Sequence, residues 1–220
     1  MKKLIIFDAQ GPIYHIKDEQ DNILSIDKTQ DFKEDYFPKH FNYFDNLSSL
    51  GYVEQMKVEE ELVCKGITRG SITSGVIDFI INIKKKGFIP IIITSGTKKL
   101  TTGYIEDGIE EYNRINNTYI KIDDIILKKE IYSLTDLNLT KQNPEHWKKI
   151  IEDNYGKINV DVKVVAVFED TFKWLRNAVK AFKCRAYHVV DEKGCESLKD
   201  KETGMRFFRG NIETFKEKFF

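Results

Sequence analysis

Short apolar runs that stop at polar residues constrain this chain more than any other feature. They are Leu4–Phe7, Ile89–Ile93, a weaker Asp124–Leu127 and Val162–Phe168, with Ala186–Val190 as a fifth. A run that is apolar throughout, without alternation, marks a strand buried on both faces, as in a parallel sheet covered by helices. Helical stripes lie between the runs. Val76, Ile77, Ile80 and Ile83 form one, closed by Lys84-Lys85-Lys86 and then Gly87, the basic last turn and glycine of a normal helix stop. Phe172, Leu175, Val179 and Phe182 form another. Strand alternating with helix predicts an α/β fold, a Rossmann-like doubly wound parallel sheet.

Residues 14–70 break the alternation. Tyr14–Ile26 reads as a hairpin turning near Asp21-Asn22. From about Gln30 to Lys65 the chain is rich in Phe, Tyr and acidic residues with irregular helical patterning. This predicts a small, mostly helical insert that returns to the main sheet near Gly66–Gly70. The expected organisation is a core of residues 1–13 and 71–220, with 14–70 forming a hairpin flap and a helical cap. Phe215–Phe220 is expected to close an amphipathic helix.

Composition narrows the function classes. Of the 220 residues, 41% are hydrophobic, enough for a sizeable core, and 35 basic side chains cancel 35 acidic ones. That balance predicts neither a nucleic-acid partner nor a polybasic membrane surface. No apolar run approaches the ~20 residues of a membrane span. Met1-Lys2-Lys3 precedes an apolar run, but the run ends at Asp8, short of the ~7–15 residues of a signal peptide's core. Cys64, Cys184 and Cys195 are odd in number and contain no CxxC pair, which suits a reducing cytoplasm. Cys184, His188 and Cys195 lack a fourth ligand at zinc-site spacing. His15, His40, His146 and His188 form no ligand pair.

In open α/β sheets, ligands bind beyond the carboxyl ends of the strands, and here those ends are polar. The first run ends in Asp8, followed by Ala9-Gln10-Gly11-Pro12. The second ends in Thr94-Ser95-Gly96, and Val162–Phe168 ends in Glu169-Asp170. Lys141 precedes Asn143-Pro144 and a helix beginning near Glu145. Thr94 and Ser95 also suit a simpler role as caps of a following helix.

Over residues 3–192 these segments resemble the haloacid dehalogenase-like superfamily. Leu4-Ile5-Ile6-Phe7-Asp8-Ala9-Gln10-Gly11 is similar to its first motif, a strand followed by Asp-x-Asp-Gly. Ile91–Gly96 resembles the second motif, and Lys141-Gln142-Asn143-Pro144-Glu145 the third in its Lys-Pro-x-Pro-Glu form. Val164–Ala178, with Glu169-Asp170-Thr171, resembles the fourth motif of the phosphomutase-like branch.

The resemblance implies a Mg2+-dependent hydrolase acting on a small phosphorylated metabolite. Asp8 would be the nucleophile that forms a covalent aspartyl intermediate. Asp8, the backbone carbonyl of Gln10, and Asp170, with Glu169 as a further candidate, would hold Mg2+, a hard cation that takes oxygen ligands. Thr94, Ser95 and Gly96 would hold phosphoryl oxygens. Lys141 would bind substrate and neutralise charge between it and the nucleophile.

Three positions depart from the pattern. Gln10 replaces the Asp that phosphatases of the family use as general acid and base; it can donate a hydrogen bond but cannot carry the proton. Pro12 replaces a Thr, and Trp174 stands where many members have a further carboxylate. Two other readings therefore stay open: a catalytically silent protein that binds a ligand or partner, and C–halogen or C–P cleavage by the same aspartate. The Glu169-Asp170 pair favours metal-dependent phosphoryl chemistry over dehalogenation, which uses no metal.

Overall fold

The computed structural model describes residues 1–18, 20–24, 59–60, 62–201 and 203–219. The strands are β1 (Lys2–Phe7), β2 (Tyr14–Asp18), β3 (Ile23–Leu24), β4 (Thr68–Ile72), β5 (Ile89–Thr94), β6 (Ile131–Ser133), β7 (Val162–Glu169), β8 (Arg185–Val189), β9 (Cys195–Lys199) and β10 (Arg206–Gly210). The helices are α1 (Val76–Lys85), α2 (Lys98–Asn116), α3 (Ile122–Ile125), α4 (Pro144–Tyr155), α5 (Phe172–Phe182) and α6 (Ile212–Phe219). Seven strands form the main sheet in the order β6-β5-β1-β7-β8-β10-β9. All its pairs are parallel except β10 with the edge strand β9. This is the doubly wound α/β architecture that the apolar runs predict.

The uninterrupted apolar runs follow from burial on both faces. Ile5, Phe7 and Ile92 pack with α1, α2 and α6 on one side. Leu4, Ile6, Ile91 and Ile93 pack with α4 and α5 on the other. Each such side chain, wholly withdrawn from water, contributes roughly 1.5–3 kcal/mol before conformational entropy is subtracted. Phe7, Phe168 and Tyr187 stand side by side on β1, β7 and β8, with ring centroids 4.9 and 4.4 Å apart. This aromatic ladder lies one residue before Asp8, Glu169 and His188, so it fixes the platform from which those polar side chains project.

Two expectations are corrected. Asp124–Leu127 is not a strand: Ile122–Ile125 forms the short helix α3, and the strand beside β5 is Ile131–Ser133. Asp123 and Asp124 favour the first turn of a helix, and the Asp124 carboxylate accepts from Lys121 N at 2.8 Å. The insert also does not return to the main sheet. Thr68–Ile72 pairs antiparallel with Tyr14–Asp18 in a separate sheet of order β3-β2-β4. Gly70 is required there, because a Cβ would lie 1.8 Å from the Tyr104 carbonyl oxygen of α2.

The hairpin near Asp21-Asn22 is present. Buried Asp18 closes its tip by accepting from Gln20 N and Asn22 N, both at 2.8 Å. Most of the expected helical cap falls on residues 25–58, outside the described residues; residues 62–64 are helical. Among the described residues, no helix is long and apolar enough to cross a membrane.

Candidate active site

Parallel pairing brings the charged strand ends together. Asp8 N donates to Phe168 O at 2.8 Å, which sets Asp8 level with Glu169 at the carboxyl ends of β1 and β7. Lys141 arrives from the turn before α4. There Asn143 caps the helix by accepting from Glu145 N at 3.0 Å, and Pro144 occupies the first turn, where a missing N–H costs nothing. Lys141 Nζ lies 2.7 Å from Asp8 Oδ1 and 2.7 Å from Glu169 Oε2. Glu169 is 0% and Lys141 3% exposed. The second oxygen of Glu169 accepts from Thr171 N at 3.2 Å, so both ends of this buried carboxylate are engaged.

Asp170 completes the cluster. Asp8, Glu169 and Asp170 each bring one carboxylate oxygen within 4.8 Å of the others. The main chain of Asp170 is held from β8. Burial lowers the His188 pKa, so the neutral ring donates from Nε2 to the Asp170 carbonyl at 2.8 Å. The loop that carries Gln10 is drawn tight by Gly11 N to Tyr14 O at 2.8 Å and Tyr14 N to Ala9 O at 3.1 Å. Thr73, arriving from β4, donates its hydroxyl to Gly11 O at 2.7 Å. Gly11 has φ +81°, and a Cβ there would meet the Asp170 side chain at 2.9 Å. Only glycine lets the loop after Asp8 lie this close against Asp170.

Electrostatics follow from burial and crowding. Burial pulls the Lys141 ammonium towards neutrality, but Asp8 and Glu169 outweigh it and raise its pKa above the ordinary lysine value. Glu169 is pushed well up by burial and then by the charge of Asp8. Asp170 is pushed up to about 6, again by burial first and Asp8 second. Fully ionised, three carboxylates against one ammonium carry a net charge of −2. Such an all-oxygen, doubly negative cluster fits a hard divalent cation. It is the group of this kind among the described residues; Cys184, His188 and Cys195 do not form one.

Thr94 is buried at the end of β5, beside β1. Its hydroxyl accepts from Gly96 N at 3.1 Å, and Ser95 O accepts from Thr135 Oγ1 at 2.5 Å. The cap of α2 is Thr97, not Thr94 or Ser95: its side chain accepts from Leu100 N at 3.2 Å. Trp174 is half-buried and packs against the α4–α5 core. Sequence reasoning did not find Thr73 and His188. Their partners lie 62 and 18 residues away, and no local spacing signals such contacts.

No protein-family model matches this chain, and no curated protein sequence does. Solved structures share its fold at low identity. CbbY from Rhodobacter sphaeroides, in complex with phosphate, is 13% identical with a TM-score of 0.54, over 99% of this chain and 96% of that one. L-2-haloacid dehalogenase from Xanthobacter autotrophicus is 12% identical with a TM-score of 0.51, over 88% and 79%. The UTR4 protein of Saccharomyces cerevisiae is 13% identical with a TM-score of 0.50, over 98% and 99%. The chain therefore has the haloacid dehalogenase-like fold that its motifs imply.

Proposed function

We propose that this protein is a divalent-metal-dependent hydrolase that removes phosphoryl groups from small phosphorylated metabolites through a covalent intermediate on Asp8. The observation that carries the reading is the buried Lys141 ammonium 2.7 Å from both Asp8 and Glu169, with Asp170 alongside. Asp8 would attack phosphorus, displacing the leaving oxygen and becoming an acyl phosphate that water then hydrolyses. Lys141 would offset the repulsion between carboxylate and phosphoryl oxygens. Thr94, Ser95 and Gly96 would receive the phosphoryl oxygens.

Asp8, the Gln10 carbonyl and Asp170 would hold Mg2+, which when bound supplies neutralising charge between nucleophile and phosphate. Glu169, with one oxygen on Lys141 and the other on Thr171 N, is better suited to orienting the lysine than to ligating the ion. Gln10 cannot protonate a leaving alkoxide. The preferred substrates are therefore acyl and aryl phosphates, whose leaving groups are weak bases.

The test combines Mg2+ calorimetry with turnover of acyl, aryl and alkyl phosphates. Mg2+ binding, metal-dependent release of phosphate from acyl and aryl substrates, and its loss in Asp8→Asn are expected. Full activity in Asp8→Asn would remove the covalent mechanism. Gln10 also favours one second reading, a silent site that only binds its ligand. Phosphate-analogue binding with no turnover of any panel member would support that reading instead.

A further inference from the structure

Lys141 is held at both ends. Its ammonium lies between two carboxylates, and its main-chain carbonyl accepts from Trp147 Nε1 and from Asn177 Nδ2, both at 3.1 Å. The same Nδ2 donates to the next carbonyl, Gln142 O, at 3.1 Å. Carbonyl oxygens only accept, so the Asn177 amide must turn its NH2 towards the loop, and both of its hydrogens are used there. Asn177 belongs to α5, the helix that starts immediately after Asp170 and Thr171. One rigid helix thus joins the turn bearing Asp170 to the turn bearing Lys141. Trp147, wholly buried on α4, lies with its ring 5.7 Å from Lys141 Nζ.

The charge pairing of Lys141 does not survive the proposed reaction unchanged. When Asp8 becomes an acyl phosphate, its carboxylate charge is replaced by charge on the phosphoryl oxygens further out, and of the two carboxylates only Glu169 still holds the ammonium in its resting place. The main-chain ties are untouched by that change. Resting on the function proposed above, we propose that Asn177 is a positioning residue: it fastens the Lys141 turn to α5, so that the ammonium stays aimed at the phosphoryl group when Asp8 is modified.

The test uses beryllium trifluoride, which mimics a phosphoryl group on an aspartate, with Mg2+ and the full chain, read by fluorine NMR and by thermal shift. The parent should form a saturable, Mg2+-dependent complex. In Asn177→Ala that complex should need about tenfold more beryllofluoride, the scale of losing an outer-shell partner. Affinity for Mg2+ alone should be unchanged, because the carboxylates remain. Asn177→Leu keeps the side-chain bulk without donors and should behave alike. Equal beryllofluoride affinity in parent and variants would overturn the inference and leave the proposed function standing. Failure of the parent to bind would overturn both. A parallel loss of Mg2+ affinity, or unfolding of both variants, would show a general structural role and overturn positioning of Lys141.

Discussion

Removing the Asp170 charge should stabilise the metal-free protein and abolish its response to Mg2+. Burial and the neighbouring Asp8 push the Asp170 carboxyl from 3.8 to about 6. Ionising it in the folded state is therefore harder than in the unfolded chain by about two pKa units, roughly 3 kcal/mol at ~1.4 kcal/mol per unit. The sign follows from which state ionises first. Below 3.8 the group is protonated in both states and costs nothing. As pH rises towards 6 the unfolded chain ionises first and the folded state loses stability, after which the loss is constant. The Asp170→Asn substitution would keep the shape and shed the cost. At about 2–4 °C per kcal/mol for a chain of this size, the variant should melt roughly 6–12 °C above the parent near neutral pH in EDTA. The gain should vanish below about pH 4. In millimolar Mg2+ the gap should narrow, because the parent gains binding energy on folding and the variant does not. Calorimetric melts at several pH values, with and without metal, read all three effects. An Asp170→Asn protein no more stable than the parent in EDTA, or one still stabilised by Mg2+, would refute the crowding argument and place the ion elsewhere.

Three further outcomes are expected. Gln10→Asp should raise hydrolysis of alkyl phosphates by at least about tenfold, since general acid–base assistance is typically worth 10²–10⁴; rates unimproved by the change would mean that another residue supplies the proton. Lys141→Met strands the buried Glu169 without its cation and should cost roughly 3–5 kcal/mol in urea unfolding of the metal-free protein, with a negligible loss arguing that the pair is solvated. Glu59, whose carboxyl burial pushes up to about 7 from 4.5, should make Glu59→Gln more stable than the parent above neutral pH, with the difference closing as pH falls towards 4.5, and thermal melts across that range check it.

The parts of this fold that sequence reveals are those governed by local physics. β1, β5, β7 and β8 are legible because strands buried on both faces are mostly apolar, with only single polar residues such as Lys163 and His188 within them, and α1 because its stripe and its Lys84–Gly87 stop agree. Asp124–Leu127 misleads because three Ile or Leu residues suit a buried strand and a single buried helical turn equally. The helical turn is favoured by the Asp124 carboxylate on Lys121 N, and Lys84 Nζ adds donors to the carbonyls of Asp124 and Ile125 at its end. β9 is invisible for the opposite reason. Cys195–Lys199 is largely exposed at the sheet edge, so nothing demands apolar residues there, and only its ladder with β10 makes it a strand.

The candidate site divides along the same line. Asp8, Thr94 and Glu169-Asp170 are legible because each ends a readable strand. The work assigned to Glu169 is not legible, because it depends on a lysine 28 residues away. As one of two adjacent acids it reads as a further candidate ligand or as a solvated or supporting acid. Its zero exposure and its contacts with Lys141 Nζ and Thr171 N are what support the proposed role as the partner of Lys141. The crowded, buried negative charge that raises Asp170 and Glu169 is what a divalent cation would offset. Under the proposed function, removing the Asp170 charge should therefore relieve that cost and weaken the ion's hold together, whereas removing the Glu169 charge should relieve cost with the smaller effect on the ion.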